Sequence, residues 1–310
     1  PLSIQRNPIL EKVEGFASLL SAGATLLFDD NGALKEIRGF DALTEIGGDL
    51  VVRGHQGLER VSGFGALETI SGDLQISVNS GLVSLEGFEK LLMVEGNINI
   101  LNNPDLRQCT LMPELAELKG SFSLVENGAL EEVSDFGALQ SIGGNVNFSA
   151  LTSLTALEGF AALETLGGAL TLVGCSALES LSGFGALKTV SGEMNISGND
   201  ALVTIAAFDS LESTEAGLKI LQNPSLVEIA GFSALRAISG DFIFESNESY
   251  TELSDLQSLE EVGGFIRLAF NTNLSHFSGL SKIASVGGYI IIEGNAKLEN
   301  LDGLASVAHV

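Results

Sequence analysis

The sequence repeats itself every 24 residues, and this period constrains the fold more than any other feature. The dipeptide Gly-Phe recurs at multiples of 24 residues, at Gly15, Gly39, Gly63, Gly87, Gly159, Gly183 and Gly231. A repeat this short cannot bury its own apolar side and needs stacked neighbours. The period therefore predicts a solenoid in which each repeat forms one turn. Weaker versions of the dipeptide complete thirteen turns without insertion or deletion, and they begin at Leu111, Asp135, Ala207, Asp255, Gly279 and Gly303.

Each turn, numbered from the glycine of Gly-Phe as position 1, has apolar residues at positions 2, 5, 8, 12, 14, 20 and 23. Positions 12 and 14 alternate with polar neighbours, which is the period of a strand, so strands are predicted at residues 49–53, 73–77, 193–197 and 241–245. The remaining apolar positions recur every three residues, which favours short 3₁₀ or extended arcs, or a single helical turn. The sequence predicts a right-handed parallel β-solenoid with one main parallel sheet.

Position 17 is asparagine in ten turns, which predicts a ladder of amides stacked from turn to turn. An asparagine amide can satisfy backbone groups where the chain leaves a strand. His55 occupies this position once, and we interpret it as a substitute turn residue rather than a catalyst. The predicted ladder consists of Asn7, Asn31, Asn79, Asn103, Asn127, Asn199, Asn223, Asn247, Asn271 and Asn295.

The repeats run from residue 1 to residue 310 without a linker, which predicts a single domain, because turns in a solenoid contact only their neighbours. Thirteen turns at ~4.8 Å each would make a rod of about 62 Å. Neither end has a polar capping turn, so Leu2 and Ile4 at one end and Leu301 and Leu304 at the other are expected to be exposed. Two interpretations stay open: a segment of a longer array, or copies that stack head to tail into a fibre.

The turn resembles the leucine-rich repeat, with two residues instead of one between the asparagine and the next leucine. Matching segments include Ile46-Gly47-Gly48-Asp49-Leu50 and the turns Asn103-Pro104-Asp105-Leu106 and Asn223-Pro224-Ser225-Leu226. This variant is similar to the receptor L-domain family, which includes ligand-binding domains of growth-factor receptor ectodomains and lipid-anchored fungal cell-wall proteins. The resemblance covers the whole chain and implies an extracellular or cell-surface location.

Charge argues against several classes of function. Forty acidic and fifteen basic residues give a net charge of −25, which repels nucleic acids and anionic lipids. No apolar run has the ~18 to 20 residues of a membrane span. The three histidines lie in distant turns, so no catalytic residues, metal site or cofactor are predicted. Asp49 and Asp73 suggest either a weak cation site or, preferably, a solvated acidic face.

The late turns carry apolar residues on the outward face of the strands, and Phe265 and Tyr289 lie one turn apart in the same row. A contiguous exposed apolar patch marks a contact surface. The alternative is that a loop or a neighbouring module covers it. The predicted contact residues are Ile243, Phe265, Phe270, Tyr289 and Ile291.

Four Asn-x-Ser sequons occur in the chain. If a eukaryote secretes the protein, we expect glycans on Asn147, Asn195 and Asn273. Asn247 belongs to the inward asparagine row and is expected to stay bare.

These observations favour a non-enzymatic extracellular rod with a structural or adhesive role, and a filament subunit is one form of it. Its expected partners are proteins, either a second copy bound head to tail or neighbouring modules, with glycans as a further candidate. The alternative is a receptor-like ectodomain that binds a ligand or a protein.

Overall fold

A computed structural model describes residues 1–109, 112–134 and 136–310. Leu111 and Asp135, two of the predicted turn starts, lie outside the described residues. Contacts within the chain divide it into two compact units, Pro1–Leu154 and Thr155–Val310. Each unit is a stack of 24-residue turns, whereas the single domain stays a prediction.

The main sheet of each unit consists of four-residue parallel strands, one from each turn. Strands pair in register at intervals of 24 residues, so Leu50 lies between Leu26 and Leu74. In the first unit these strands are Leu2–Gln5, Leu26–Asp29, Leu50–Arg53, Leu74–Ser77, Ile98–Leu101, Phe122–Val125 and Val146–Ser149. In the second unit they are Leu170–Val173, Met194–Ser197, Leu218–Leu221, Phe242–Glu245, Ile266–Ala269 and Ile290–Glu293. The predicted parallel β-solenoid with one main strand per turn is confirmed.

Two columns of two-residue strands complete the other sides of each turn. One column occupies positions 7 and 8: Ser21–Ala22, Glu45–Ile46, Thr69–Ile70, Met93–Val94, Glu117–Leu118 and Ser141–Ile142 in the first unit, and Thr165–Leu166, Thr189–Val190, Ser213–Thr214, Ala237–Ile238, Glu261–Val262 and Ser285–Val286 in the second. The other occupies positions 22 and 23: Lys12–Val13, Glu36–Ile37, Arg60–Val61, Ser84–Leu85, Gln108–Cys109 and Glu132–Val133, then Ala156–Leu157, Ser180–Leu181, Thr204–Ile205 and Glu228–Ile229.

Of the predicted alternatives, the arcs between the main strands are extended in most turns and take the form of these two-residue strands. Successive turns lie one strand spacing apart, so the backbone can hydrogen-bond to the neighbouring turn, as Gly47 N–H does to the Ala22 carbonyl at 2.7 Å. The Gly-Phe-x-Ala-Leu segment makes a tight turn, with Leu43 N–H donating to the Phe40 carbonyl at 2.9 Å. Among the described residues, 3₁₀ helices form only at Ser278–Leu280 and Asp302–Leu304.

The core of each turn is apolar, and a row of phenylalanines at position 2 runs through it. In the first unit the rings of Phe40 and Phe64 stack with centroids 5.1 Å apart, and in the second unit Phe160 and Phe184 stack at 5.3 Å. These side chains are fully buried or nearly so. Such stacking adds about 0.5–1.5 kcal/mol per pair to the burial of apolar area. The row thus ties the turns that carry phenylalanine to one another, whereas Met112, Leu256, Leu280 and Leu304 take this position in the remaining turns.

The chain leaves each main strand through a left-handed residue at position 16. Four turns use glycine there, including Gly54 and Gly198 with φ of 74° and 65°. The other nine turns place an L-residue in this conformation: Arg6, Asp30, Val78, Asn102, Glu126, Ala150, Gln222, Ser246 and Phe270. A left-handed conformation costs an L-residue roughly 1–2 kcal/mol, and a β-branched one is a clear outlier. The turn geometry therefore overrides local preference at Val78.

Replacing Val78 with glycine should stabilise the protein. Val78 has φ of 58° and is 57% exposed, so the substitution relieves strain and gives up little burial. We expect a gain of about 1 kcal/mol in the free energy of unfolding, measured by urea denaturation. Val83→Gly is the matched control, because Val83 is also exposed but has no left-handed backbone. It should lose about 0.5–1 kcal/mol. Equal changes in the free energy of unfolding for the two variants would show that the Val78 backbone is not strained.

Candidate functional site

The asparagines at position 17 form a hydrogen-bonded ladder in each unit. The Asn31 amide shows the pattern: its Oδ1 accepts the Asn7 backbone N–H at 2.9 Å, and its Nδ2 donates to the Ile4 carbonyl at 2.9 Å. In the second unit the Asn223 amide does the same with Asn199 N–H and the Ile196 carbonyl, at 3.2 and 3.1 Å. Each amide thus binds the turn before it. The buried members are Asn31, Asn79, Asn103, Asn127, Asn199, Asn223, Asn247 and Asn271, while Asn7 is exposed and Asn295 half-buried.

His55 occupies one position of this ladder and makes fewer hydrogen bonds there than the asparagines make. Its Nδ1 accepts the Asn31 N–H at 3.0 Å, which places the ring proton on Nε2 in the neutral form. Nε2 lies towards the Phe28 carbonyl but is buried without a hydrogen-bond partner among the described residues. Burial lowers the pKa of His55 below its ordinary value, although Asp29 and Asp30 nearby oppose this. The site disfavours a charged imidazole, because protonated Nδ1 would point a proton at the Asn31 N–H.

A second ladder, which sequence reasoning missed, runs along position 11 at the start of the main strand. Asp49 Oδ1 accepts the backbone N–H of Asp73 at 2.9 Å, and Asp73 Oδ1 accepts that of Asn97 at 2.7 Å. In the second unit Asp241 Oδ1 accepts the N–H of Phe265 at 3.1 Å. These bonds explain why the strands begin at position 12, one residue later than predicted. Asp49 and Asp73 are half-buried backbone acceptors rather than a solvated acidic face.

Two aromatic residues follow Asp241 in the position-11 column of the second unit, where Ala169 and Gly217 also lack a side-chain oxygen or nitrogen. Phe265 donates its N–H to Asp241, but its own ring has no atom that could accept the N–H of the next turn. That next turn carries Tyr289, whose ring stacks on Phe265 with centroids 4.8 Å apart and an interplanar angle of 7°. Tyr289 is 56% exposed and Phe265 is half-buried. The two rings form an aromatic pair at the surface of the second unit.

The neighbouring column of the same sheet continues this surface. Ile243, Arg267 and Ile291 lie in register at position 13, and all three are half-buried. Arg267 Nε donates to Glu245 at 2.7 Å and its Nη2 donates to Glu293 at 2.8 Å. These carboxylates raise the pKa of the Arg267 guanidinium above its ordinary value, so it is held in the charged form.

Phe270 closes one edge of this surface from the left-handed position 16. Its φ is 57°, it is 45% exposed, and the Arg267 guanidinium carbon lies 5.8 Å from its ring centroid. The ring lies over Gly294, where a Cβ would come within 2.5 Å of Phe270 Cδ1. Gly294 therefore makes room for the ring. We call the whole surface the aromatic strand face, and it comprises Ile243, Phe265, Arg267, Phe270, Tyr289 and Ile291, with Glu245 and Glu293 as its acidic edge.

The structure brings all five predicted contact residues together on this face. Sequence reasoning missed Arg267, Glu245 and Glu293, which link three successive turns into one ion cluster. Reading the sequence down columns at 24-residue intervals could have found them, because opposite charges stand at positions 13 and 15 of neighbouring turns. The ion cluster becomes visible only when neighbouring turns are compared, because each turn contributes one of its three charged residues.

The sequon asparagines occupy different environments. Asn147 and Asn195 lie half-buried at outward strand positions, and Asn147 Oδ1 accepts the Ser149 hydroxyl. Asn273 Nδ2, the atom that would carry a glycan, donates to the Glu248 carbonyl at 2.8 Å. Asn247 is fully buried in the ladder. A glycan at Asn273 would replace one of the two Nδ2 hydrogens and leave the other for the Glu248 carbonyl.

A serine, a histidine and a carboxylate do meet at one place, contrary to the sequence interpretation that no such set could assemble. His276 Nδ1 lies 2.9 Å from Ser275 Oγ, and its Nε2 lies 3.4 Å from Glu299. The Ser275 hydroxyl donates to the Thr251 carbonyl at 3.0 Å, so its proton is directed away from the imidazole. A nucleophilic serine must instead donate to the histidine that activates it. The arrangement is therefore opposite in polarity to a catalytic one.

The described residues bring together no group of three or more His, Cys, Asp or Glu that could hold a metal ion. In the same part of the chain, no helix has the length and hydropathy needed to cross a membrane.

The His55→Asn variant should be more stable than the wild type, and increasingly so in acid. The unfolded histidine takes up a proton near pH 6.5, whereas the folded one does so at a lower pH because its pKa is lowered. Wild-type stability contributed by neutral His55 is therefore present above pH 6.5 and is lost as the pH falls towards the folded-state pKa. By analogy with the other ladder members, the Nδ2 of the new asparagine also donates a hydrogen bond to the Phe28 carbonyl, which His55 does not. Urea denaturation of both proteins at pH 7.5 and 5.0 measures the difference, and a pH-independent difference would contradict the assignment.

No protein-family model matches the chain, and no curated protein matches it. Among solved structures, the chain is similar to the crystal structure of a leucine-rich repeat protein from Bacteroides ovatus ATCC 8483 at 1.19 Å resolution, over 96% of this chain and 86% of that one, with 14% identity and a TM-score of 0.41. The leucine-rich-repeat resemblance and its receptor L-domain type stay predictions. The geometry itself shows a parallel β-solenoid with strands repeated every 24 residues.

Proposed function

We propose that the chain is a non-enzymatic, extracellular or cell-surface repeat protein with an adhesive and structural role, and that it contacts a partner protein through the aromatic strand face. The observation that carries the proposal is the Phe265–Tyr289 stack at outward strand positions, with Tyr289 56% exposed. An exposed apolar patch of this kind is typical of a contact surface.

A third ring at the same place supports this proposal. The Phe270 ring is 45% exposed and lies beside the Arg267 guanidinium. Three aromatic rings on one small surface are also typical of protein contacts, since interfaces are enriched in Tyr, Phe and Arg.

The sheet beneath the face makes it a suitable docking platform. Its strands pair in register on both sides of Ile266–Ala269, so their side chains project from a backbone that is already ordered. Binding to a rigid surface avoids much of the entropy cost of ordering a loop. The receptor-like alternative, in which the ligand is a soluble protein rather than another surface, would use the same face.

Photo-crosslinking on intact source cells tests this function. A photoreactive phenylalanine analogue at Tyr289 should form a covalent adduct with a partner protein, and a membrane-impermeant biotin reagent should label the chain. The matched control carries the analogue at Leu92, which is exposed on the first unit at 47%. The double variant Phe265→Ser/Tyr289→Ser should lose cell binding while keeping its circular dichroism spectrum. An adduct of equal yield at Leu92, or an unlabelled chain, would overturn the proposal.

End-to-end stacking into a filament is a second candidate, because each turn of this fold hydrogen-bonds to neighbouring turns of the same kind. The surfaces that would meet include Leu2 and Ile4, which are half-buried, and Leu301, which is 56% exposed. A contact between the two different surfaces does not close and would grow into a fibre.

Electron microscopy and light scattering of the purified chain test this second candidate. We expect fibres from the wild type and monomers from Leu301→Glu, because a carboxylate at the contact would be desolvated without a partner. The control Leu92→Glu alters an exposed leucine away from the terminal turns and should leave the fibres intact. Monomers from the wild type at high concentration would rule out stacking of this chain on itself.

A further inference from the structure

The charge around the aromatic strand face indicates which kind of partner it accepts. Arg267 lies between Glu245 and Glu293, so this cluster of three carries one net negative charge. Asp241, which caps Phe265 N–H, adds a further carboxylate at the same side of the sheet. The whole chain has a net charge of −25. An approaching molecule therefore meets an apolar centre with an acidic edge.

The rings and a neighbouring isoleucine form the apolar centre of the face. Phe265 and Tyr289 are nearly parallel and stacked, so each covers one face of the other. Apolar side chains of a partner can rest against the exposed part of Tyr289 and against Ile291 beside it.

We infer that the aromatic strand face binds a cationic peptide segment of the partner protein, with apolar side chains at its centre and Lys or Arg on either side. This inference rests on the proposed function and names the chemistry of its partner. Charge complementarity selects the occupant: the acidic edge attracts a basic segment, whereas a second copy, itself strongly acidic, is repelled. The apolar centre supplies the affinity and the carboxylates supply the selectivity.

Glu293 is the carboxylate that a partner reaches first. Its side chain is 48% exposed, compared with 28% for Glu245 and 23% for Arg267. It holds Arg267 through a single ion pair in the structure, and a partner's ammonium or guanidinium group can share that carboxylate without displacing the pair. Glu245 lies deeper and acts mainly by keeping Arg267 in place.

A pair of synthetic peptides tests the inference. The probes are acetyl-Lys-Phe-Ile-Phe-Lys-amide and its twin with Glu in place of Lys, titrated into the isotope-labelled full chain at low salt and followed by NMR. We expect the basic peptide to shift resonances of the turns that carry the face and to bind at least about tenfold more tightly than the acidic twin. Added salt should weaken this binding.

Three variants separate specific binding from general attraction to an acidic protein. Phe265→Ser/Tyr289→Ser keeps the net charge and should abolish the shifts. Glu293→Gln should weaken binding about threefold, and Glu68→Gln, a matched exposed acid in the first unit, should leave it unchanged. Equal binding of both peptides, or equal effects of the two glutamine variants, would overturn the inference. If that happens while Tyr289 still crosslinks a cell-surface protein, the proposed function stands and only the partner's chemistry is wrong.

Discussion

The structure depends on hydrogen bonds that pass from each turn to the next. A turn of 24 residues closes only a few bonds within itself, such as that from Leu43 N–H to the Phe40 carbonyl. Its strands, its asparagine amide and its position-11 side chain all bond to neighbouring turns. Buried backbone groups must be paired, so a turn outside a stack would be unstable. The strict period follows from this requirement, because one inserted residue would shift three columns of bonds together.

Regularity also makes the exceptions informative. In a column that repeats the same chemistry, a residue that departs from it is visible against its neighbours. His55 departs from the asparagine column and loses one hydrogen bond, and it remains buried. Phe265 and Tyr289 are the aromatic residues of the more varied position-11 column and form a stacked pair at the surface. The histidine costs stability inside the protein, whereas the aromatic pair creates a surface that another molecule can contact.

The sequence predicts the solenoid, the main strands and the asparagine column because each depends on a residue type that recurs at a fixed spacing. It does not predict the two columns of short strands. Their residues, such as Glu45 and Ile46, carry no alternation long enough to distinguish a strand from a 3₁₀ arc, and only hydrogen bonding to the next turn settles the difference.

Part of the candidate site was predictable from single turns. Phe265 and Tyr289 are aromatic residues at an outward strand position, and the sequence of one turn is enough to show this. The ion cluster of Glu245, Arg267 and Glu293 spans three turns, and its partners are separated by 22 and 26 residues along the chain. The position-11 ladder was missed because an aspartate beside a strand suggests solvent exposure or a cation, unless the N–H of the next turn is known to lie within reach.

The direction of the hydrogen bonds has a mechanical consequence. Within each unit the strand-to-strand bonds run along the stacking direction, so tension applied to one end of the chain loads the bonds of the terminal turn first. Those bonds break one after another, whereas the bonds between strands that are sheared past each other break together. Each turn released lengthens the extended chain by 24 residues, or roughly 80 Å at 3.3 Å per residue. A protein of this kind would yield to force in small, repeated steps and re-form them when the force is removed.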